Sequence, residues 1–260
     1  LDNVSKKANG RALGHELKIY CYEPFSYAIE VEVDEQEKYY STENKYIDKD
    51  DNENFNNTDT ISNGIMDRDE MSGTEIVNQD SLNGNLSSIT PITTATYGGS
   101  NNCGPTALTN VIILYHDLYG KNDLYRENNL KWSYDRLLAW LEVGGYYTPA
   151  NGTTRAGYPY ALSNYVKEEN SSYRTQCYEL TANSLTDIVV ELGNNYPMIT
   201  SINYGGEGHA VVTIGYMTRA NAYTLYRYIR VLDGWNASTQ RYLNYDYYDG
   251  IYTKTARILG

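Results

Sequence analysis

Asn101-Asn102-Cys103-Gly104-Pro105-Thr106-Ala107-Leu108-Thr109-Asn110 is the stretch whose reading decides how this chain folds. Pro105 fits the first turn of a helix, where a missing N–H costs nothing. Ala107, Leu108, Val111, Ile112, Leu114, Tyr115 and Leu118 follow at spacings of three and four, which predicts one buried stripe over 104–119. Gly120 closes the segment as a C-terminal cap. Cys103 therefore stands at a helix N-terminus, where unpaired N–H groups and the positive end of the macrodipole favour a thiolate, the nucleophilic form. The competing reading makes Cys103 one more small buried residue, because free cysteine is among the most buried types.

A reactive thiol needs a base, and the chain has three histidines. His116 lies inside the same helix, more than three turns beyond Cys103 at roughly 1.5 Å per residue, out of reach of the sulfur. His15 stands in a polar, glycine-flanked segment and reads as solvated. His209 follows Gly205-Gly206-Glu207-Gly208 and opens the apolar run Ala210-Val211-Val212-Thr213-Ile214. A glycine loop there delivers an imidazole to a strand that holds it rigidly. A third group should orient the ring and fix its tautomer. The run 223–232 reads as a strand that ends in Asp233-Gly234-Trp235-Asn236, so Asp233 emerges at the rim where the His209 strand begins. Asn236 is the alternative orienter, and an ordinary turn aspartate is the plain reading of Asp233.

Asn-Cys-Gly-Pro-Thr-Ala opening a helix, Gly-His-Ala-Val-Val with Gly215-Tyr216 beyond it, and Val-Leu-Asp-Gly-Trp some twenty residues later occur in that order. In this, residues 90 to 260 resemble papain-like cysteine peptidases of bacteria, with the streptopain-type and leader-peptidase-like families similar in pattern. The resemblance implies Cys103 as nucleophile, His209 as general base and acid, Asp233 as orienter of the imidazole, and Trp235 as a wall of the site. It implies an α+β, papain-like fold: a helical N-terminal lobe carrying the cysteine and an antiparallel sheet lobe carrying His209 and Asp233. One departure stands out. Many papain-like enzymes place a glutamine six residues before the cysteine as an oxyanion donor, and here that position is Tyr97. Such a donor is worth about 3–4 kcal/mol. The Cys103 N–H supplies one donor; the Asn102 or Asn101 side-chain amide, or another loop N–H, is the candidate second.

The hydrophobic content of 41 % is enough for a core, although the chain has 29 tyrosines and only 2 phenylalanines. The net charge of −12 is concentrated: residues 30–80 hold 16 acidic and 4 basic residues, and the rest of the chain is balanced. With no basic patch, nucleic acid is not an expected partner. No run of 18 apolar residues exists, so no membrane span is expected. The three cysteines fit neither a disulfide framework nor a zinc spacing, and no metal or other cofactor is expected.

Residues 17–33 alternate as a hairpin. From 34 to 88 the chain is acidic, rich in Asn, Ser and Thr and without periodicity, so it reads as a disordered linker. Residues 89–260 form the peptidase domain, with helices expected at about 132–143, 159–169 and 184–193 and strands at 198–204, 209–217, 223–232, 240–247 and 251–258. The glycine-rich stretch 144–158 is either a cleft-lining loop or a plain connection. Because relatives of this kind are often made with a pro-segment, residues 1–33 are expected to be its remnant or else an N-terminal hairpin. The linker would then carry the activation cut, at Lys45, Lys49 or Arg68, made by an activating protease. The chain has no signal peptide of its own, and a secreted bacterial protein is expected.

The expected activity is hydrolysis of peptide bonds in a peptide or protein substrate. Acyl transfer to an amine or amidase action by the same three residues is the alternative within enzymes, and a non-catalytic secreted peptide-binding protein is the alternative outside them.

Overall fold

The computed structural model describes residues 61–125 and 129–260, together with the backbone of four strands nearer the N-terminus. The chain divides into two units, one of residues 1–59 with 220–225 and the other of residues 60–219 with 226–260. In the first, β1 (Gly10–Ala12), β2 (His15–Tyr22), β3 (Ser26–Val33) and β4 (Gln36–Ser41) form one antiparallel sheet in sequence order. Ile19 lies opposite Ile29 and Leu17 opposite Val31, so residues 17–33 pair as a hairpin. β4 falls within the stretch read as a linker. The basic positions Lys45 and Lys49 lie outside the described residues.

The second unit begins earlier than composition suggested. Residues 61–88 are folded: β5 (Ile65–Asp67) pairs with a strand near the C-terminus, and β6 (Glu75–Ser81) joins the same sheet. Ile61, Ile65, Leu82 and Leu86 are buried in the common core. The reading of 34–88 as one disordered linker is corrected here for 61–88. Local composition is poor in apolar residues, and Ile76 and Val77 stay exposed, but Ile61, Ile65, Leu82 and Leu86 pack on a sheet and helix supplied by distant parts of the chain.

Helices α1 (Thr94–Tyr97), α2 (Cys103–Tyr119), α3 (Leu130–Val143), α4 (Gly157–Glu169) and α5 (Leu185–Gly193) follow, with the two-residue strands β7 (Tyr147–Thr148) and β8 (Gly152–Thr153) between α3 and α4. β9 (Arg174–Gln176) lies between α4 and α5. The chain then turns to β10 (Met198–Tyr204), β11 (Glu207–Ala220), β12 (Leu225–Leu232), β13 (Arg241–Asn244), β14 (Gly250–Thr255) and β15 (Arg257–Leu259). The main sheet runs β14-β10-β11-β12-β13-β5, with β6 on β11, and β15 pairs with β9. This is an α+β architecture with an antiparallel sheet.

The single stripe expected on α2 is a correction in degree. Every residue from Gly104 to Tyr115 is buried, on all faces. Leu108, Val111 and Ile112 pack in one core with Ile199, Val211 and Ile229 of the sheet, so α2 is a central helix rather than a surface one. The Thr106 hydroxyl is buried without a hydrogen-bond partner, whereas Thr109 Oγ1 donates to the Pro105 carbonyl at 2.8 Å and the Asn110 amide accepts from the Ile92 N–H (2.9 Å) and donates to the Ile92 carbonyl (3.0 Å). That pair ties the segment before α1 to the helix. Gly120 caps α2 in a left-handed conformation, with its N–H on the His116 carbonyl at 3.2 Å.

Candidate active site

Two asparagines fix the entry to α2. Asn101 adopts φ 51°, which a short amide side chain tolerates better than most. Its Nδ2 donates to the carbonyls of Pro149 (2.9 Å) and Ala150 (3.2 Å). Asn102 is buried and its Nδ2 donates to the carbonyls of Thr94 (2.9 Å) and Gly98 (2.6 Å) and to the Tyr134 hydroxyl (3.1 Å). Asn102 is therefore a strut of the loop before the helix, and its amide N–H groups are committed there. It does not line the cavity at Cys103, which corrects its expected place as an oxyanion donor.

The helix proper begins with the Thr106 N–H on the Asn102 carbonyl at 3.1 Å. The N–H groups of Cys103 and Gly104 precede that bond, and with the Ala210 N–H they act on the Cys103 sulfur in favour of the thiolate. Burial acts the other way and is larger, so the thiol is pushed above its ordinary range. The expected thiolate at rest is corrected accordingly: the helix end lowers the cost of charge without cancelling desolvation. Glycine at 104 is required by packing, since a Cβ there would meet Thr153 Oγ1 at 2.3 Å.

His209 arrives by a two-residue hairpin. Gly205 (φ 58°) and Gly206 (φ 87°) are both left-handed, as a tight turn between β10 and β11 demands. The Gly205 N–H donates to Asp249 Oδ2 at 2.8 Å, which anchors the turn. His209 then pairs with Ile202 in the ladder. The ring is only 7 % exposed, and this burial depresses its pKa to about 4. Trp235 stacks on it, with ring centroids 3.8 Å apart and planes 10° from parallel. Trp235 is thus the wall of the imidazole.

Asp233 meets the imidazole by an unexpected atom. Nε2 of His209 lies 2.6 Å from the main-chain oxygen of Asp233. A carbonyl only accepts, so Nε2 carries the proton and Nδ1 keeps its lone pair. The Asp233 carboxylate faces elsewhere and is fully buried. Its Oδ1 accepts from the N–H groups of Trp235 (2.9 Å) and Asn236 (2.7 Å), and its Oδ2 accepts from Arg241 Nε at 2.9 Å. Arg241 also pairs with Asp67 at 3.0 Å. The carboxylate thereby holds the turn that carries both the acceptor carbonyl and Trp235. Asn236 contributes its N–H to that turn, and its exposed side chain is not placed on the ring.

Cys103 and His209 line one cavity of about 450 Å³. Residues 150–153 of the β7–β8 hairpin, together with Tyr158, Ser201 and Glu207, complete much of its wall. The glycine-rich 144–158 stretch is therefore cavity-lining in its central part. Arg241, Tyr158 and Glu207 escaped the sequence reading. Arg241 has no local signal, since its role comes from pairing β13 with β12 and β5. Glu207 stands in the Gly-Gly-Glu-Gly-His string, where its nearness to the histidine is the local signal for it. Among the described residues no group of three or more His, Cys, Asp or Glu side chains is placed to hold a metal ion. Among them, too, no helix is long and apolar enough to cross a membrane.

A thiol at the mouth of a buried helix, sharing a cavity with an imidazole held on a sheet, is an arrangement of the cysteine-peptidase class. A family model described as the Peptidase_C39 like family matches residues 75–257. The match covers more than half of the chain, which belongs to that family. No curated protein and no solved structure matches it. Membership supports the cysteine-peptidase class and a peptidase hydrolase activity read from the motifs; it does not extend to the streptopain-type or leader-peptidase-like kinship.

Proposed function

We propose that the protein hydrolyses peptide bonds with Cys103 as nucleophile and His209 as general base and acid. The observation that carries this reading is the shared cavity of Cys103 and His209, with the imidazole tautomer held by the Asp233 carbonyl. Burial keeps both partners neutral at rest, the thiol raised and the imidazole lowered. The thiol proton passes to Nδ1 as sulfur attacks the peptide carbonyl carbon. The N–H of Cys103 at the helix start is the first donor to the oxyanion. The C–N bond then breaks and Nδ1–H protonates the leaving amine. Water, losing a proton to Nδ1, attacks the thioester and restores the thiol. Asp233 acts as a positioning residue through its main-chain oxygen, and Arg241 positions Asp233.

The reading extends to activation. The two units, with an acidic stretch leading out of the first, suit a pro-segment released by a cut at Lys45 or Lys49. Arg68, expected with them, directly follows β5 in the folded peptidase unit, and this reading favours the two lysines over it. Activity measured before and after limited proteolysis between the units tests this: a rise on cleavage supports it, and unchanged activity refutes it.

For the main reading, the expected result is selective modification of Cys103 by iodoacetamide at neutral pH, slowed in His209→Ala, together with cleavage of members of a peptide library. Labelling at the rate of a free thiol in both proteins, with no peptide cleaved, overturns it.

A further inference from the structure

Every wall of the reactive cavity can be read for charge. Glu207 is the one carboxylate among its lining residues, and no lysine or arginine lines it. The strand places this side chain. Glu207 is the first residue of β11 after the Gly205-Gly206 turn, opposite Tyr204, and His209 lies two positions on. Side chains at i and i+2 of a strand share a face, so the carboxylate stands on the imidazole's side of the sheet. It is exposed, and no cation pairs with it among the described residues. Tyr158 is buried, and Ser201 lies beside it with its hydroxyl 3.4 Å from the Tyr158 hydroxyl. A cavity of about 450 Å³ suits one long side chain.

A cavity whose one charged wall, apart from the imidazole, is an exposed carboxylate matches a cationic side chain, whose flexible stem can lie along Tyr158. We propose that this cavity is a subsite for a lysine or arginine side chain of the substrate, selected by Glu207. The subsite rests on the reading of Cys103 as the reacting thiol. A substrate residue laid along the cavity would place its aliphatic stem against Tyr158 and its ammonium or guanidinium beside Glu207. A substrate carboxylate there would meet like charge instead. Because the contact is exposed, the selection is modest and screened by salt.

The test uses the full chain and three small thiol reagents of equal reactive group: aminoethyl, methyl and sulfonatoethyl methanethiosulfonate. Rates of modification at Cys103 are followed by peptide mapping and normalised to those of free cysteine. The expected result is a cation-to-anion rate ratio above that of free cysteine, falling by about 1.5- to fivefold in Glu207→Gln, the range that one solvent-accessible ion pair provides, and reversing in Glu207→Lys. Raising the salt concentration should compress the ratio in the unaltered protein and leave Glu207→Gln little changed. In His209→Ala the absolute rates should fall while the ratio persists, so loss of the subsite is distinguishable from loss of the thiol–imidazole pair. Should the neutral reagent react equally fast with and without His209, the proposed mechanism fails while the ratio still reports on Glu207. An equal ratio in Glu207→Gln and the unaltered protein overturns the subsite. Failure of all three reagents to reach Cys103 overturns it also, because the cavity would then not lead to the sulfur.

Discussion

Replacing Asp233 by asparagine separates two accounts of how the imidazole is held. If the carboxylate itself oriented the ring, the amide would favour the wrong tautomer and activity would fall by about ten-thousand-fold with the geometry intact. The geometry found here predicts a different outcome. The acceptor is the main-chain oxygen of residue 233, 2.6 Å from Nε2, and it survives the substitution. What is lost is the contact between Oδ2 and Arg241 Nε at 2.9 Å, made by a carboxylate with no exposed surface. An asparagine can still accept the Trp235 and Asn236 N–H groups with Oδ1, but its amide N–H then confronts Arg241. Breaking a buried ion pair costs about 3–5 kcal/mol. Arg241 retains Asp67 and the Ile65 carbonyl as partners, so the lower end, about 3 kcal/mol, is expected. Urea unfolding should show that loss, while the rate per native molecule, normalised to alkylatable Cys103, falls less than about tenfold. Arg241→Gln should lose comparable stability, and the double variant should be clearly less than additive. Unchanged stability with a drop of about ten-thousand-fold in activity would refute the main-chain account.

The pH dependence of stability should carry the signature of His209. Its native pKa is depressed to about 4 from an ordinary 6.5, so between those values the unfolded chain takes up a proton that the native protein refuses. Stability is therefore full above pH 6.5 and declines toward pH 4, by about 3 kcal/mol from this residue alone. Chemical unfolding at a series of pH values should show the decline, and His209→Gln should flatten it; an equal decline in that variant would place the cause elsewhere. Gly104→Ala should destabilise the protein by about 1–3 kcal/mol, because its Cβ would fall 2.3 Å from Thr153 Oγ1. Adding Thr153→Gly should recover part of the loss in thermal unfolding, and a Gly104→Ala protein as stable as the original would contradict the packing.

Local sequence is enough to locate the elements that carry the chemistry. The Cys103 helix, its Gly120 cap and the strand that bears His209 follow from local periodicity and from residues with strong backbone preferences. Trp235 is expected as a wall only through the resemblance to papain-like peptidases, and the stacked ring on His209 is where the fold puts it. Which atoms meet is set instead by how those elements pack. That the imidazole rests on a carbonyl instead of a carboxylate depends on Arg241 reaching back eight residues to Asp233 from β13, a contact set by strand pairing and not by any local pattern. The Asn102 amide combines near partners, the Thr94 and Gly98 carbonyls, with the distant Tyr134 hydroxyl, and only the packed loop brings all three to it. Residues 61–88 show the same limit for the fold: their few apolar side chains look too sparse to order a segment until a sheet built by residues more than a hundred positions away receives them. Local preference is a property of short stretches of chain, whereas hydrogen-bond partners and burial are set by which distant surfaces the core brings together.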